Sequence, residues 1–257
     1  MRKSTKLIIF TGFVVGVLLS CQVSNTLFGP TLMPTFAPGI SSTEPQNPDP
    51  TAVPTEISSG SDQVSTLVSS DKTDGLFADD FSTTDSGWKT ANFIEGSTEY
   101  FNDGFRIKLN RSQYLLWSTA GRDFENVRLK VQATLIGGGE DNAFGLICRY
   151  LDSNNFYAFV ISSDGYYAIR KRVQGGFLTV IGSEGYQFSD RINLGTTENQ
   201  LRAECSGNRL RFYVNGVLLA EAVDSELSHG DVGVIAGTFS ADTTQVFFDN
   251  FEAEILE

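Results

Sequence analysis

The sequence has 257 residues, with 19 Lys or Arg against 31 Asp or Glu, and its formal net charge is −12 at pH 7. This acidic balance argues against a nucleic-acid partner, because phosphates attract basic surfaces, and against direct binding to anionic lipid headgroups. All eight Tyr, both Trp and 16 of the 20 Phe lie in residues 75–257. These 183 residues are enough for one buried core, so we expect a single folded domain there.

The N-terminus carries the features of a secretory signal. Arg2, Lys3 and Lys6 precede the apolar run "LIIFTGFVVGVLL", whose 13 residues are too few for a membrane-spanning helix of about 20. The run ends in "LLSC", which resembles the lipobox of bacterial lipoproteins. The resemblance implies that residues 1–20 are a lipoprotein signal peptide and that Cys21 is lipidated, holding the protein on the extracytoplasmic side of a bacterial membrane. The alternative is an ordinary signal peptide with an incidental cysteine.

Residues 21–74 have the composition of a linker. All seven Pro of the chain lie between Pro30 and Pro54, Ser and Thr are abundant, and Lys72 is the one basic residue. Such a segment has too little apolar surface to offset the entropy lost on ordering. We therefore expect a disordered tether between the lipid and the domain.

From residue 75 onward, apolar and polar residues alternate. In "VRLKVQATL" every second residue is apolar, as an antiparallel strand with one buried face requires. Turn sequences such as "NDG", "SDG", "SGN" and "NG" separate these runs at short intervals. The pattern predicts 12 to 14 strands, no extended helix and an all-β fold of two packed antiparallel sheets.

The order of several segments carries a family resemblance. "LFADDFSTTDSGW", "FENVRLKVQATLIGGGEDNAFGLICRY", "LRAECSGNRLRFYVNGVLLAEAVD" and "VFFDNFEAEIL" follow one another as in concanavalin A-like lectin/glucanase jelly rolls. Residues 76–256 resemble in particular the extracytoplasmic modules related to the laminin G-like and 3-keto-disaccharide hydrolase groups. The resemblance implies a two-sheet antiparallel jelly-roll sandwich, whose concave face commonly meets carbohydrate.

Catalytic signatures are weak. Retaining glucanases of this fold carry E-x-D-x-x-E or E-x-D-x-E on one strand, which projects two carboxylates together. The nearest string, "EAEILE" at 252–257, lacks the central Asp. His229 is the one histidine, so a His-based triad or a zinc site is hard to build, and we expect His229 in a solvated loop. The 3-keto-disaccharide group does not depend on the glucanase motif, so that chemistry stays open; we expect no organic cofactor.

Strand parity suggests a binding face. If Phe144, Leu146 and Cys148 point into the core, their neighbours point to the opposite face. Four residues then become candidates for contact with sugar: Arg149, Tyr157, Tyr166 and Arg170. Aromatic rings stack on the C–H faces of sugars, and Arg donates to hydroxyls. The alternative is that these are ordinary strand aromatics and solvated arginines.

Two cysteines remain in the domain. Cys148 and Cys205 both have inward parity, and an exported chain permits pairing, so we expect a disulfide; the alternative is two buried free thiols.

The resemblance also implies a structural Ca²⁺ near Asp249, with Gly104 and Asp80 as possible partners. The alternative is that Asp249 caps a turn or faces solvent. A melting temperature that a chelator leaves unchanged would count against the metal.

The sequence thus predicts a lipid-anchored protein whose jelly-roll domain binds a glycan without catalysis. The alternatives are a glycoside-processing enzyme of the 3-keto-disaccharide hydrolase type and a sensory or adhesive domain that binds a protein partner.

Overall fold

The structure, a computed structural model, describes residues 76–257. The predicted signal peptide, Cys21 and the predicted linker lie outside these residues. Within them, sixteen β-strands follow one another, and no helix is long and apolar enough to cross a membrane. The strands are β1 (Leu76–Asp79), β2 (Ala91–Asn92), β3 (Gly96–Phe101), β4 (Gly104–Leu109), β5 (Leu115–Phe124), β6 (Val127–Gly138), β7 (Asn142–Asp152), β8 (Asn155–Ile161), β9 (Tyr166–Arg172), β10 (Thr179–Ile181), β11 (Gln187–Phe188), β12 (Asn199–Ser206), β13 (Arg209–Val214), β14 (Val217–Val223), β15 (Gly230–Thr238) and β16 (Thr244–Ile255).

The strands form two antiparallel sheets, which confirms the predicted sandwich. The nine-stranded sheet runs β14-β13-β12-β6-β16-β4-β3-β2, and β1 pairs with β16 beyond the end of β4. The seven-stranded sheet runs β10-β9-β8-β7-β15-β5, with β11 also paired to β9. The strand number exceeds the predicted 12 to 14 because β2, β10 and β11 have only two or three residues, too few to show alternation.

The core lies between the inner faces of the sheets. Along β6, Val127, Leu129, Val131 and Ala133 are buried, whereas Arg128 and Lys130 face outward, as the alternation predicted. The seven-stranded sheet contributes Phe144, Leu146 and Phe159, among others, to the same cluster. The disulfide between Cys148 of β7 and Cys205 of β12 is confirmed, and it joins the two sheets through this core.

The outer faces of the two sheets differ in character. On the nine-stranded sheet, charged side chains pair across neighbouring strands; Arg128, for example, donates to Glu204 and to Glu254. On the seven-stranded sheet, a second apolar cluster covers the outer face, and its members include Ile147, Phe156 and Leu178. This second cluster places aromatic residues on the outside of the sandwich.

Two connections cross between the sheets at one end of the sandwich. The turn at 125–126 joins β5 to β6, and the loop at 224–229 joins β14 to β15. Some of their backbone groups bond to backbone, as the carbonyl of Asn126 does to the N–H of Leu256, and the buried remainder need other partners such as side chains.

Candidate functional site

The four predicted sugar-binding residues separate into two pairs. Arg149 and Tyr157 are buried between the sheets, with exposed fractions of 1% and 0%. Tyr166 and Arg170 lie on the outer face of β9, with the same parity as the outward-facing Ala168. The structure therefore brings together only the second pair on an outer surface.

The parity expected for Arg149 is wrong, because β7 contains a bulge. The register of β7 with β8 shifts between Cys148 and Asp152, and Arg149 has a φ of 51°. A bulge adds a residue to one strand and re-aims the side chains around it. Arg149 turns inward and donates from its two amino groups to the carbonyls of Leu227, at 2.8 Å, and Glu125, at 3.2 Å. These carbonyls belong to the two crossing connections, so Arg149 ties both to β7.

Tyr157 points inward because its cross-strand partner is Cys148, which faces the core. Its hydroxyl donates to Oδ1 of Asp224 at 2.5 Å and accepts the backbone N–H of Leu227 at 3.1 Å. Lys171 of β9 donates to the other oxygen of Asp224 and to Glu226. Together these contacts hold the 224–229 loop against the end of the core.

The ionisation of this network follows from its burial and contacts. Burial and the hydrogen bond to Asp224 raise the pKa of Tyr157 to about 12, so its hydroxyl stays a donor at neutral pH. Burial alone would raise the pKa of Asp224, but hydrogen bonds from Lys171 and Tyr157 outweigh it and lower that pKa below the ordinary value. At neutral pH Asp224 is therefore ionised, and its contacts with Lys171 and Tyr157 hold the 224–229 loop in place.

A strip of side chains along β9 faces outward; we call Tyr166, Arg170, Tyr186 and Phe188 the β9 strip. Phe188 pairs with Tyr166 across β11 and β9, and their rings meet edge to face at 5.6 Å. Tyr166 is 41% exposed and Phe188 is 59% exposed. Further along, the Arg170 guanidinium lies 5.7 Å from the centre of the Tyr186 ring. The strip therefore combines two exposed rings at one end with a cation over a half-buried ring further along the strand.

Two buried polar atoms in the strip lack a well-formed hydrogen bond. Among the described residues these are Nε of Arg170 and the hydroxyl of Tyr186, although the Arg170 guanidinium is close enough to that hydroxyl to oppose the rise in its pKa. One amino group of Arg170 donates to the carbonyl of Leu178 at 2.7 Å. Burial raises the pKa of Tyr186, so its hydroxyl is a neutral donor. A cavity of about 20 Å³, roughly the space for one water, reaches Arg170 beside Phe239.

Besides the strip, the outer face of this sheet has several small residues and a second group of aromatic rings. Strand pairing places Thr119 and Arg170 in one row, four strand spacings or about 19 Å apart. On the same face, the rings of Trp117, Tyr150 and Phe156, from β5, β7 and β8, lie 5.7–6.2 Å from one another. The small residues of this face are Ala143, Gly145, Ala158, Ala168, Gly233 and Gly237.

Sequence reasoning missed several aromatics of this face. Trp117 could have been found, because it alternates with the inward-facing Leu116 and Ser118. Tyr186 and Phe239 come from segments without periodicity, and their rings meet at 5.8 Å only in the folded chain. No pattern of spacing predicts such a contact.

The three residues predicted for Ca²⁺ do not line one groove. Asp80 lines a groove of about 430 Å³ with Asp79 and Glu252, and Asp249 and Gly104 are not part of its lining. Asp79 is engaged elsewhere, since it accepts the indole N–H of Trp88. Within residues 76–257 no group of three or more His, Cys, Asp or Glu is arranged to hold a metal. The calcium site stays a prediction.

Comparison with known proteins gives the fold. A structure described as a native glycosidic hydrolase is 12% identical, with 70% of this chain and 95% of that chain covered and a TM-score of 0.52. A Bacillus subtilis protein of unknown function with a galectin-like fold is 11% identical, with 70% and 96% covered and a TM-score of 0.50. The domain therefore has a concanavalin A-like lectin/glucanase-type jelly-roll fold.

A third structure is the carbohydrate-binding module CBM66 from Bacillus subtilis. It is 21% identical, with 66% of this chain and 96% of that chain covered. Its TM-score of 0.48 is too low to add support for the fold. No family model matches the sequence, and no curated protein matches it.

Proposed function

We propose that this protein is a lipoprotein whose jelly-roll domain binds carbohydrate through the β9 strip, without catalysis. The observation that carries the proposal is the exposed pair of rings, Tyr166 and Phe188, on the same face of β9 as Arg170. Sugars present apolar C–H faces and many hydroxyls, which match aromatic rings and an arginine. A structural neighbour described as a glycosidic hydrolase supports a carbohydrate-related role.

The binding test is a calorimetric titration of the full chain, extracted in a detergent without a sugar headgroup, against soluble polysaccharides and disaccharides. We expect saturable binding that Tyr166→Ala weakens about tenfold, or ~1.4 kcal/mol, the scale of one lost aromatic contact. The matched control is Phe93→Ala, which removes a ring of similar exposure, 44% against 41%, from the turn between β2 and β3. This control should leave the affinity unchanged.

Product analysis of the same samples by chromatography separates the alternatives. New products would overturn the non-catalytic proposal in favour of a glycoside-processing enzyme. If no carbohydrate bound at all, the proposal would fail and a protein partner would become the better explanation. Equal losses from Tyr166→Ala and Phe93→Ala would place the site elsewhere.

We further propose that Cys21 anchors the chain to a bacterial membrane on the extracytoplasmic side. The "LLSC" sequence after a short apolar run supports this, and two acyl chains give stable membrane attachment. Cells fed a labelled fatty acid should incorporate the label into the wild-type protein and not into Cys21→Ser. Incorporation that persists in Cys21→Ser would show that Cys21 is not the anchor.

A further inference from the structure

A second groove lies on the opposite side of the sandwich, on the outer face of the nine-stranded sheet. Its volume is about 350 Å³, within the range of ligand sites, and it crosses β16, β6, β12 and β13, a span of about 14 Å. We call it the amide groove, after the three amide side chains in its lining. The side chains used below are Gln132, Gln200, Arg202, Tyr213 and Asn250.

A bulge shapes the amide groove. The register of β16 with β6 shifts between Asp249 and Glu252, and Asn250 has a φ of 52°. Its side-chain amide donates to Oε1 of Gln132 at 2.7 Å. This contact leaves the amide N–H groups of Gln132 and the amide oxygen of Asn250 available to a ligand. Bulges recur next to binding sites because they re-aim side chains in this way.

The other wall of the groove combines a ring with a cation. The Arg202 guanidinium lies over the Tyr213 ring, 3.6 Å from its centre. Nε of Arg202 is buried and has no hydrogen bond among the described residues; Oε1 of Glu204 is 3.8 Å away, too far for one. Arg202 is therefore fixed in place and still has a donor without an acceptor.

Both cations of the groove lie near carboxylates. Lys130 pairs with Glu252 at 2.8 Å, and Arg202 lies 3.8 Å from Glu204, a residue outside the groove lining that Arg128 also contacts, at 2.9 Å. The remaining polar groups are amides, which both donate and accept hydrogen bonds, as hydroxyl groups do. This chemistry fits a neutral polyhydroxylated ligand better than an anionic one.

We propose that the amide groove is a second carbohydrate-binding site that takes a neutral sugar chain, so that the domain is bivalent. The inference rests on the proposed function, because it assigns the same class of ligand to a second face. Packed sheets are about 10 Å apart, and the two sites lie on opposite outer faces. Two sugar chains can then bind at once, and the protein links them.

The test measures stoichiometry and cross-linking on the full chain in the same detergent. The probes are neutral pentasaccharides of glucose, xylose and mannose, each titrated alone, and the corresponding soluble polysaccharides for turbidity. We expect two sites per chain for a pentasaccharide that binds, one site in Gln200→Ala/Tyr213→Ala, and in Tyr166→Ala one unchanged site and one that is about tenfold weaker. Turbidity with the polysaccharide should be lost in Gln200→Ala/Tyr213→Ala and reduced in Tyr166→Ala, because cross-linking needs both contacts.

The matched control is Gln245→Ala, which removes an amide from the outer face of the same sheet outside the groove; it should keep two sites. Melting curves of every variant exclude loss of folding. If the wild type had one site, and if Gln200→Ala/Tyr213→Ala left that site unchanged while Tyr166→Ala weakened it, bivalency would be overturned and the proposed function would stay intact. Binding to no probe and to no member of the carbohydrate panel would overturn both.

Discussion

Reduction of the Cys148–Cys205 disulfide is expected to lower the free energy of unfolding by about 4 kcal/mol. The two cysteines are separated by 57 residues, and closing a loop of that length restricts the unfolded chain by roughly this amount. The bond also joins β7 to β12, so it holds the two sheets together across the core. Urea unfolding of the full chain, with and without a reducing agent, measures the difference.

Two variants make the experiment specific. Cys148→Ala/Cys205→Ala should have the lower stability from the start and should no longer respond to the reducing agent. Cys21→Ser should respond as the wild type does, because Cys21 is outside the crosslink. Equal stability of the oxidised and the reduced wild-type chain would show that the disulfide does not contribute to the free energy of unfolding.

Much of the fold could be predicted because alternation is a local property of the chain. β6 and β13 alternate cleanly, since each has one face on the core and the other in water. The same alternation correctly predicted that Cys148 and Cys205 both point inward, which supported the expected disulfide. It could do so because both strands are regular up to the cysteines.

The alternation of apolar and polar residues did not predict side-chain orientation where a strand is irregular or buried on both faces. Arg149 follows Cys148 directly, and the bulge that turns it inward leaves no mark in the spacing of apolar residues. β8 is buried on both faces, because the second apolar cluster covers its outer side. Its sequence therefore reads as continuously apolar, and the orientation of Tyr157 depends on the register of the β7–β8 hairpin.

The candidate site was predictable only where it lies on a regular strand. Tyr166 and Arg170 are four residues apart on β9 and share a face, which parity alone requires. Their partners Tyr186 and Phe188 come from the segment after β10. In this part of the chain two short strands, β10 and β11, pair with β9 at separate places. Which loop residues reach a face is decided by tertiary packing, and a single sequence does not encode it locally.

The second large effect is expected from Arg149→Met, which should lower the free energy of unfolding by about 3 kcal/mol. The substitution removes two charge-assisted hydrogen bonds, to Leu227 and Glu125, and leaves the buried carbonyl of Leu227 without this donor. Met keeps the length and apolar volume of the side chain, and it adopts the same backbone conformation as Arg. The loss is smaller than the sum of two bonds, because a buried charge is removed as well.

The control for this experiment is Arg209→Met, which breaks an exposed pair with Glu221 and should leave the free energy of unfolding nearly unchanged. Arg149→Lys adds a finer test. A lysine keeps the charge but lacks the planar guanidinium whose two amino groups reach both carbonyls, so Arg149→Lys should recover only part of the lost unfolding free energy.

Carbohydrate affinity, measured at a temperature where the variants stay folded, separates the two roles considered for Arg149. A structural role predicts lower stability with unchanged affinity, since Arg149 is 1% exposed. Unchanged stability with lost affinity would make Arg149 a ligand-binding residue and would contradict its role in holding the two crossing connections.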